Sequence, residues 1–292
     1  MTPLALCLVL TAAVLHATWN LAAKRAGSGL PFVFAVGVVM TICYVPIIAG
    51  VAWFGGGLHF SPGDWFVVGV STVLKTGYAL YLQRAYRKGD FSLVYPLVRG
   101  SAPVIATAGA ALFLGEFPPP IALLGGLIIV AGIFFLTHGE RLWQRRPGRA
   151  QPPRGALGNA LIAGSFIATY TVWDRNAVAY HAINPVVFDG LTNIGLTVLL
   201  LPFALPRRAA VTAVWRDHRR EVLIMAILSP LAYVLVLTAL RFTPVGYVAP
   251  AREVSILIGT YLGARVFRES DSPRRAQCAI AIIVGLFILA TA

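Results

Sequence analysis

Long apolar runs alternate along the 292-residue chain with short segments that carry glycine, proline and charged residues. A membrane-spanning helix needs about 20 consecutive, mostly apolar residues. Runs of this kind predict ten spans: 4–23, 32–54, 65–84, 91–113, 119–137, 155–178, 185–205, 221–240, 244–267 and 275–292. No alternation of polar and apolar positions typical of strands interrupts them. The pattern therefore predicts an all-α integral membrane protein.

The composition supports a membrane protein with no sizeable soluble domain. Hydrophobic residues make up 58% of the chain and charged residues 12%, and the mean hydropathy is +0.77. A soluble domain carries about 25% charged residues. The net charge of +13 would indicate a nucleic-acid partner in a soluble protein. In a membrane protein, the excess of Lys and Arg instead sets the orientation, so we expect no nucleic-acid partner.

Neither the N-terminal run nor the cysteines indicate processing or metal chemistry. The first 23 residues lack a basic leader and are followed by Lys24 and Arg25, which predicts a first transmembrane helix and not a cleaved signal peptide. Cys7, Cys43 and Cys278 lie in apolar runs without the spacing of metal ligands. We expect them to be packing residues, and we expect no metal site and no cofactor.

Basic residues are concentrated on one side of the predicted membrane. The loops after spans one, three, five, seven and nine carry 19 Lys or Arg, whereas the opposite loops and the two termini carry only Arg175 and Arg241. Cytoplasmic loops are rich in Lys and Arg. The chain is therefore predicted to lie in a bacterial-type inner (cell) membrane with both termini on the periplasmic or extracellular side.

The two halves of the chain share a weak internal repeat. The 29-residue segments that begin at Ala85 and Ala239 have eight identical residues at a constant shift of 154, and residues 17–25 resemble 168–176 at a shift of 151. The agreement in order predicts two five-helix repeats, 1–140 and 155–292, joined by a basic cytoplasmic linker, 141–154. Because five is odd, the second repeat should be inverted in the membrane.

The repeat supplies a partner for an arginine inside span four. A guanidinium in hydrocarbon costs about 3 kcal/mol or more, so Arg99 must face a partner or water. The shift of 154 places Arg99 on Glu253, and both positions lie about 12–14 Å into the membrane. An ion pair is predicted, and two interpretations stay open: a structural bridge between the halves, or a gate for which the substrate competes.

Two further basic residues, Lys75 and Arg252, lie inside spans. With Arg99 and Glu253 they predict an excess of +2 near the middle of the membrane, which favours a carboxylate or phosphate on the solute. The alternatives are that one of them, Lys75 most readily, loses its proton or extends its side chain to the interface.

Two spans carry a similar polar pattern on one helical face: His16, Trp19 and Asn20 in span one, and Tyr170, Trp173 and Asp174 in span six. His16 is either a proton carrier or a buried histidine with satisfied hydrogen bonds. Asp174 and Arg175 are either interfacial or directed inward. Tyrosines inside the predicted spans combine an apolar ring with a polar hydroxyl, which would suit an amphiphilic solute. The candidate substrate-binding residues are Lys75, Tyr78, Tyr95, Arg99, Tyr233, Tyr247, Arg252, Glu253, His16, Trp19, Asn20, Tyr170 and Trp173.

Three motifs resemble a known family. They are "HATWNLAAKR" in span one, "YPLVRGSAP…LFLGE" in span four and "TPVGYVAPAREVS…GARVFRE" in span nine. With ten predicted spans in two inverted halves, the chain resembles the EamA-type transporters of the drug/metabolite transporter superfamily. The resemblance implies a central cavity lined by spans three, four, eight and nine, with spans five and ten at the periphery.

These observations favour a secondary-active transporter without an enzymatic activity. Motifs of zinc proteases, serine hydrolases and P-loop ATPases are absent from the sequence. We expect export of a small amphiphilic metabolite, amino-acid-like or an organic acid, by alternating access, with protons as a candidate coupling ion and membrane lipids as neighbours. Monomer and homodimer both stay open. The alternatives are a lipid-linked sugar flippase and a membrane enzyme that does not transport.

We expect both termini to lie outside the cytoplasm. A reporter enzyme that is active only in the cytoplasm should be inactive when fused after Ala292 and active when inserted after Arg149 in the basic linker. The comparison is made by reporter activity in intact cells at matched expression. An active fusion at Ala292 would contradict the orientation derived from the loop charges.

Overall fold

The computed structural model describes residues 1–26, 29–55, 57–88, 91–136, 154–258 and 273–292. These residues form helices and short connections, without a strand. The α-helices are α1 (Pro3–Arg25), α2 (Leu30–Phe54), α3 (Pro62–Lys88), α4 (Phe91–Leu114), α5 (Pro120–Leu136), α6 (Arg154–Arg175), α7 (Pro185–Ala204), α8 (Arg208–Leu240), α9 (Val245–Arg252) and α10 (Pro273–Thr291). Almost all of the predicted linker 141–154 lies outside the described residues.

Apolar helices of membrane-spanning length are present. Within the part of the chain that the structure describes, four helical segments are long and apolar enough to cross a bilayer: Pro3–Asn20, Leu30–Phe54, Pro62–Leu82 and Pro185–Leu240. Large apolar side chains are exposed on the outside of the bundle; Trp53 and Phe54 of α2 are 84% and 89% exposed. Such a surface suits hydrocarbon and not water. The prediction of an all-helical membrane protein is confirmed.

A helical segment precedes the predicted span eight, and a kink at His218 separates the two. The sequence pattern placed span eight at 221–240, but α8 starts at Arg208 and has a non-helical backbone at His218 (φ −132°, ψ 27°). Val211 and Val214 pack against the apolar cluster shared by α2 and α8. A search for continuous apolar runs missed this stretch because its apolar positions recur at helical spacing between arginines.

Helix α9 ends earlier than predicted. Span nine was expected to run as one helix over 244–267, yet α9 ends at Arg252 and Glu253 forms a turn. Pro250 has no backbone N–H to donate. The N–H of Glu253 donates to the Pro250 carbonyl, and the Glu253 carbonyl accepts from Ile256. Helix resumes over 254–258, so the acidic residue of the predicted ion pair lies at a break in the helix.

The main helix contacts join the first half of the chain to the second. Helix α5 packs on α10, α2 on α7, α3 and α4 on α6, α1 on α8, and α4 on α9. At one end of the bundle, the amino group of Met1 donates a hydrogen bond to the carbonyl of Ala290 at 3.1 Å. The two halves therefore form one helical body, in which α1 begins beside the end of α10.

The α5–α10 contact depends on glycine. A Cβ atom added to Gly285 would lie 2.8 Å from the carbonyl oxygen of Gly125 and 3.0 Å from the backbone nitrogen of Ile129. Backbone atoms cannot move aside as the end of a flexible side chain can. The two helices approach so closely because neither glycine carries a side chain.

We expect Gly285→Ala to lower the free energy of unfolding by about 1–3 kcal/mol, since the added methyl group forces the two backbones apart. Gly50→Ala in α2 is the matched control, because its Cβ would meet no atom within 4 Å. Alanine is favoured over glycine in a helix. Thermal unfolding in detergent should therefore show a loss for Gly285→Ala and no loss for Gly50→Ala; equal effects would contradict the close contact.

Candidate functional site

The side chain of Lys75, midway along α3, lies among acceptors from the second half of the chain. Its Nζ is 3.2 Å from Asp174 Oδ2, 3.9 Å from Asp189 Oδ1 and 2.9 Å from Thr192 Oγ1. All four residues are buried. A buried ammonium is tolerated where it is paired and hydrogen-bonded, and we call these four residues the lysine cluster.

Hydroxyl groups donate hydrogen bonds to both carboxylates of the lysine cluster. Tyr44 donates to Asp189 Oδ2, Ser71 to Asp174 Oδ1 and Tyr233 to Asp174 Oδ2, each at 2.5 Å. Hydrogen bonds to ionised oxygens are stronger than those between neutral groups. The hydroxyls therefore stabilise two carboxylates beside a single ammonium.

Aromatic rings surround the same ammonium and continue away from it. Lys75 Nζ lies 4.7 Å from the ring centroid of Tyr233 and 5.2 Å from that of Phe188, distances typical of cation–π contacts. Tyr170 contacts Tyr233 and Tyr78 edge to face, with centroid separations of 6.4 and 6.0 Å. Three of the predicted cavity tyrosines therefore form one aromatic row.

The predicted ion pair between Arg99 and Glu253 is present. Arg99 Nη1 lies 3.2 Å from Glu253 Oε1, and Arg252 Nε lies 3.4 Å from the same oxygen. On a helix, adjacent residues such as Arg252 and Glu253 point about 100° apart. Both arginines nevertheless reach one carboxylate, and we call these three residues the arginine cluster.

His16 belongs to a small hydrogen-bonded group on α1. Its Nδ1 accepts from the indole N–H of Trp19 at 3.0 Å, and its carbonyl accepts from the side-chain amide of Asn20 at 2.7 Å. The charges of Arg99 and Arg252 act electrostatically on the His16 ring. The face predicted for span one therefore lies close to the arginine cluster.

The predicted excess of +2 is wrong. Asp174 and Asp189 are 0% and 2% exposed, so three buried acidic residues balance Lys75, Arg99 and Arg252. Asp174 had been placed near the end of its span, but a π-helical turn over Asn176–Tyr180 continues α6 beyond it. Charge remains locally uneven: carboxylates outnumber the ammonium in the lysine cluster, and guanidinium groups outnumber the carboxylate in the arginine cluster.

A third cluster of charged residues lies at the end of the bundle where α4 and α6 end. Arg175 Nε donates to Glu116 Oε1 at 2.6 Å, and another Arg175 nitrogen donates to the carbonyl of Leu240. Glu116 Oε2 accepts from the backbone N–H of Val245 at 2.8 Å. We call Arg175 and Glu116 the end clamp, because they fasten α4, α6, α8 and α9 together.

The remaining candidates are placed differently. The indole N–H of Trp173 donates to the carbonyl of Val67 at 2.9 Å, and its ring lines a mainly apolar pocket of about 510 Å³ on α4 and α6. Tyr247 packs against the main apolar core. The side chain of Tyr95 lies outside those that the structure describes. In the described residues, no group of three or more His, Cys, Asp or Glu is arranged to hold a metal ion.

Several members of the site escaped sequence analysis. Tyr44, Ser71 and Thr192 are ordinary residues of membrane helices, and nothing in their spacing indicates a charged partner more than 100 residues away. Asp189, one helical turn before Asn193 in span seven, is not among the candidate residues derived from the sequence. The signal that was available is the rarity of carboxylates inside apolar runs.

A model of the EamA-like transporter family matches the chain twice, over residues 3–138 and 155–291. The chain belongs to the EamA-like transporter family. Its two matched segments correspond to the two halves that the lysine cluster, the arginine cluster and the end clamp join. Family membership identifies an EamA-like membrane transporter and points to transport, not catalysis.

One solved structure reproduces the fold of this EamA-like protein. It is a crystal structure of a protein 19% identical in sequence, with a TM-score of 0.77, and the alignment covers 98% of this chain and 96% of the other. At this identity the similarity shows the fold alone. No curated protein matches the sequence significantly.

We expect Arg99 and Glu253 of this EamA-like chain to be energetically coupled. Glu253→Ala should cost about 3–5 kcal/mol, because it leaves two arginines without their carboxylate in a low-dielectric site. Arg99→Ala should cost less, because Arg252 still contacts Glu253. The double variant should cost less than the sum. A double-mutant cycle on thermal unfolding in detergent measures the coupling, and purely additive losses would show that the pair contributes nothing.

Proposed function

We propose that this EamA-like chain is a secondary carrier that moves a small amphiphilic metabolite between its two halves by alternating access. The observation that supports this is that the buried and partly buried ion pairs run between the two halves of the chain. Lys75 with Asp174 and Asp189, Arg99 with Glu253, and Glu116 with Arg175 all join the first half to the second. Movement of one half against the other must therefore break or exchange charged contacts.

The helix contacts support an inverted pair of five-helix repeats. Under a two-fold relation, each helix corresponds to the helix five places along the chain, so that α3 corresponds to α8 and α6 corresponds to α1. The α3–α6 contact then corresponds to the α1–α8 contact. The contacts α2–α7, α4–α9 and α5–α10 convert into themselves. A pseudo-two-fold axis produces this exchange. The ten-span arrangement with termini outside the inner membrane is part of the proposal.

The end clamp supports a conformation closed at one end. Arg175 is buried and Glu116 is partly buried, and together they fasten four helices at the end of the bundle that also carries Met1 and Ala290. In our proposal this end faces the periplasm or the cell exterior. The solute enters from the cytoplasmic end, and export requires the clamp to open after the opposite end has closed.

The distribution of charge supports a solute with both donor and acceptor groups. The lysine cluster has an excess carboxylate and the arginine cluster an excess guanidinium, and the row of Tyr78, Tyr170 and Tyr233 supplies amphipathic surface. An amino-acid-like solute or an organic acid fits this combination. The excess carboxylate is also the position at which we propose that a coupling proton binds.

A lipid-linked flippase is the second candidate, and one observation favours it. The pocket of about 510 Å³ on α4 and α6 is mainly apolar and includes Phe113, which is 81% exposed. A pocket on the lateral face would accept an acyl or polyprenyl chain. The charged clusters, however, lie between the halves and suit a polar solute, so we propose the metabolite carrier.

Transport by purified protein in liposomes tests the proposal. We expect saturable uptake of at least one radiolabelled amino acid or organic acid, and loss of at least about 90% of the rate in Lys75→Met, since the variant leaves two buried carboxylates without their ammonium. Arg216→Gln is the matched control, because this arginine pairs with Asp217 on an exposed surface. Flipping of a fluorescent lipid-linked sugar without metabolite uptake would support the flippase instead.

A further inference from the structure

The hydrogen bond between Trp19 and His16 fixes the protonation of the imidazole. The indole nitrogen of tryptophan can only donate, so His16 Nδ1 must accept. An imidazolium ring carries protons on both nitrogens and cannot accept at Nδ1. His16 is therefore neutral in this arrangement, and its single ring proton lies on Nε2.

Two buried polar atoms near the arginine cluster have no hydrogen-bond partner among the described residues. They are His16 Nε2 and Glu253 Oε2. Their side chains are deeply buried, with relative exposures of 9% for His16 and 0% for Glu253. Both arginine contacts of Glu253 go to Oε1, which leaves Oε2 available. Buried polar atoms without partners are rare in native structures.

The two atoms lie on neighbouring helical segments of the bundle. Arg99 and Arg252 contact Glu253 directly, and the same two arginines act on the His16 ring. Helix α1 packs against α9. The atoms are also chemically complementary, because His16 Nε2 carries a proton to donate and Glu253 Oε2 offers lone pairs to accept.

We propose that His16 and Glu253 together bind a hydroxyl group of the transported solute, an inference that rests on the transport function proposed above. A hydroxyl oxygen accepts from His16 Nε2–H while its proton is donated to Glu253 Oε2. An ammonium group donates but cannot accept, and a carboxylate accepts but cannot donate. A hydroxyl therefore satisfies both atoms with a single group.

This role differs from that of a proton carrier. A proton carrier must protonate and deprotonate during each cycle, whereas the Trp19 hydrogen bond holds His16 as a neutral donor. His16 is then a specificity-determining residue that recognises the solute by donating a hydrogen bond from Nε2–H. Arg99 and Arg252 lie beside the same site and suit a carboxylate next to the hydroxyl, as in a 2-hydroxy acid.

Three compounds that share a phenyl ring and a carboxylate test the assignment. They are 3-phenyllactate, phenylalanine and 3-phenylpropionate, which carry a hydroxyl, an ammonium and a hydrogen at the same carbon. Binding to the purified full-length protein in nanodiscs is measured by calorimetry. We expect 3-phenyllactate to bind at least about tenfold more tightly than 3-phenylpropionate, because the latter leaves both buried atoms unsatisfied, with phenylalanine between them.

Variants separate this site from general packing. His16→Phe should remove most of the preference for the hydroxyl compound, whereas His59→Phe, at an exposed histidine, should keep it. Nitrogen-15 spectra of histidine-labelled protein provide a readout that needs no variant to fold. The His16 Nε2 resonance should show a bonded proton in the free protein and should shift when 3-phenyllactate binds.

Three results would overturn the assignment: a proton on Nδ1 of His16, equal binding of the three compounds, or no binding of any of them. The liposome assay separates this failure from failure of the transport proposal. If other amino acids or organic acids are transported while His16 does not respond to 3-phenyllactate, the carrier function stands and the hydroxyl site is wrong. If nothing is transported and nothing binds, both fail.

Discussion

A charge buried in hydrocarbon needs a partner, and in this chain the partner usually comes from the other half. Lys75 is neutralised from α6 and α7, Glu253 from α4, and Arg175 from the residue that follows α4. Neither half could keep these charges inside the membrane alone. Under the proposed alternating access, the contacts that stabilise the fold are also the contacts that a relative motion of the halves must exchange.

Much of this arrangement could be predicted from the sequence. Length and apolarity identify the helices, and the constant shift of 154 between the repeats pairs Arg99 with Glu253 before any coordinates are considered. Length and apolarity identify the helices because every segment that crosses the hydrocarbon must be about 20 residues long and mostly apolar. The proposed two-fold relation between the repeats explains why equivalent positions in the sequence are in contact in the structure.

The lysine cluster could not be predicted in the same way. Lys75 corresponds to Ser229 in the repeat, so symmetry names no charged partner for it. Its carboxylates lie close to the ends of apolar runs, where an acidic residue usually faces water or headgroups. Only the π-helical extension of α6 and the packing of α3 against α6 and α7 bring them inside, and both depend on tertiary contacts that spacing does not encode.

The break in α9 has a mechanical consequence. Residues 245–252 and 254–258 are two rods joined at Glu253, which is held by Arg99. Under the proposed alternating access, a joint pinned to a neighbouring helix would act as a pivot, so that the helical segments on its two sides can tilt while the joint stays in place. Such a tilt would open one membrane face of the carrier and close the other without displacing the Glu253 carboxylate.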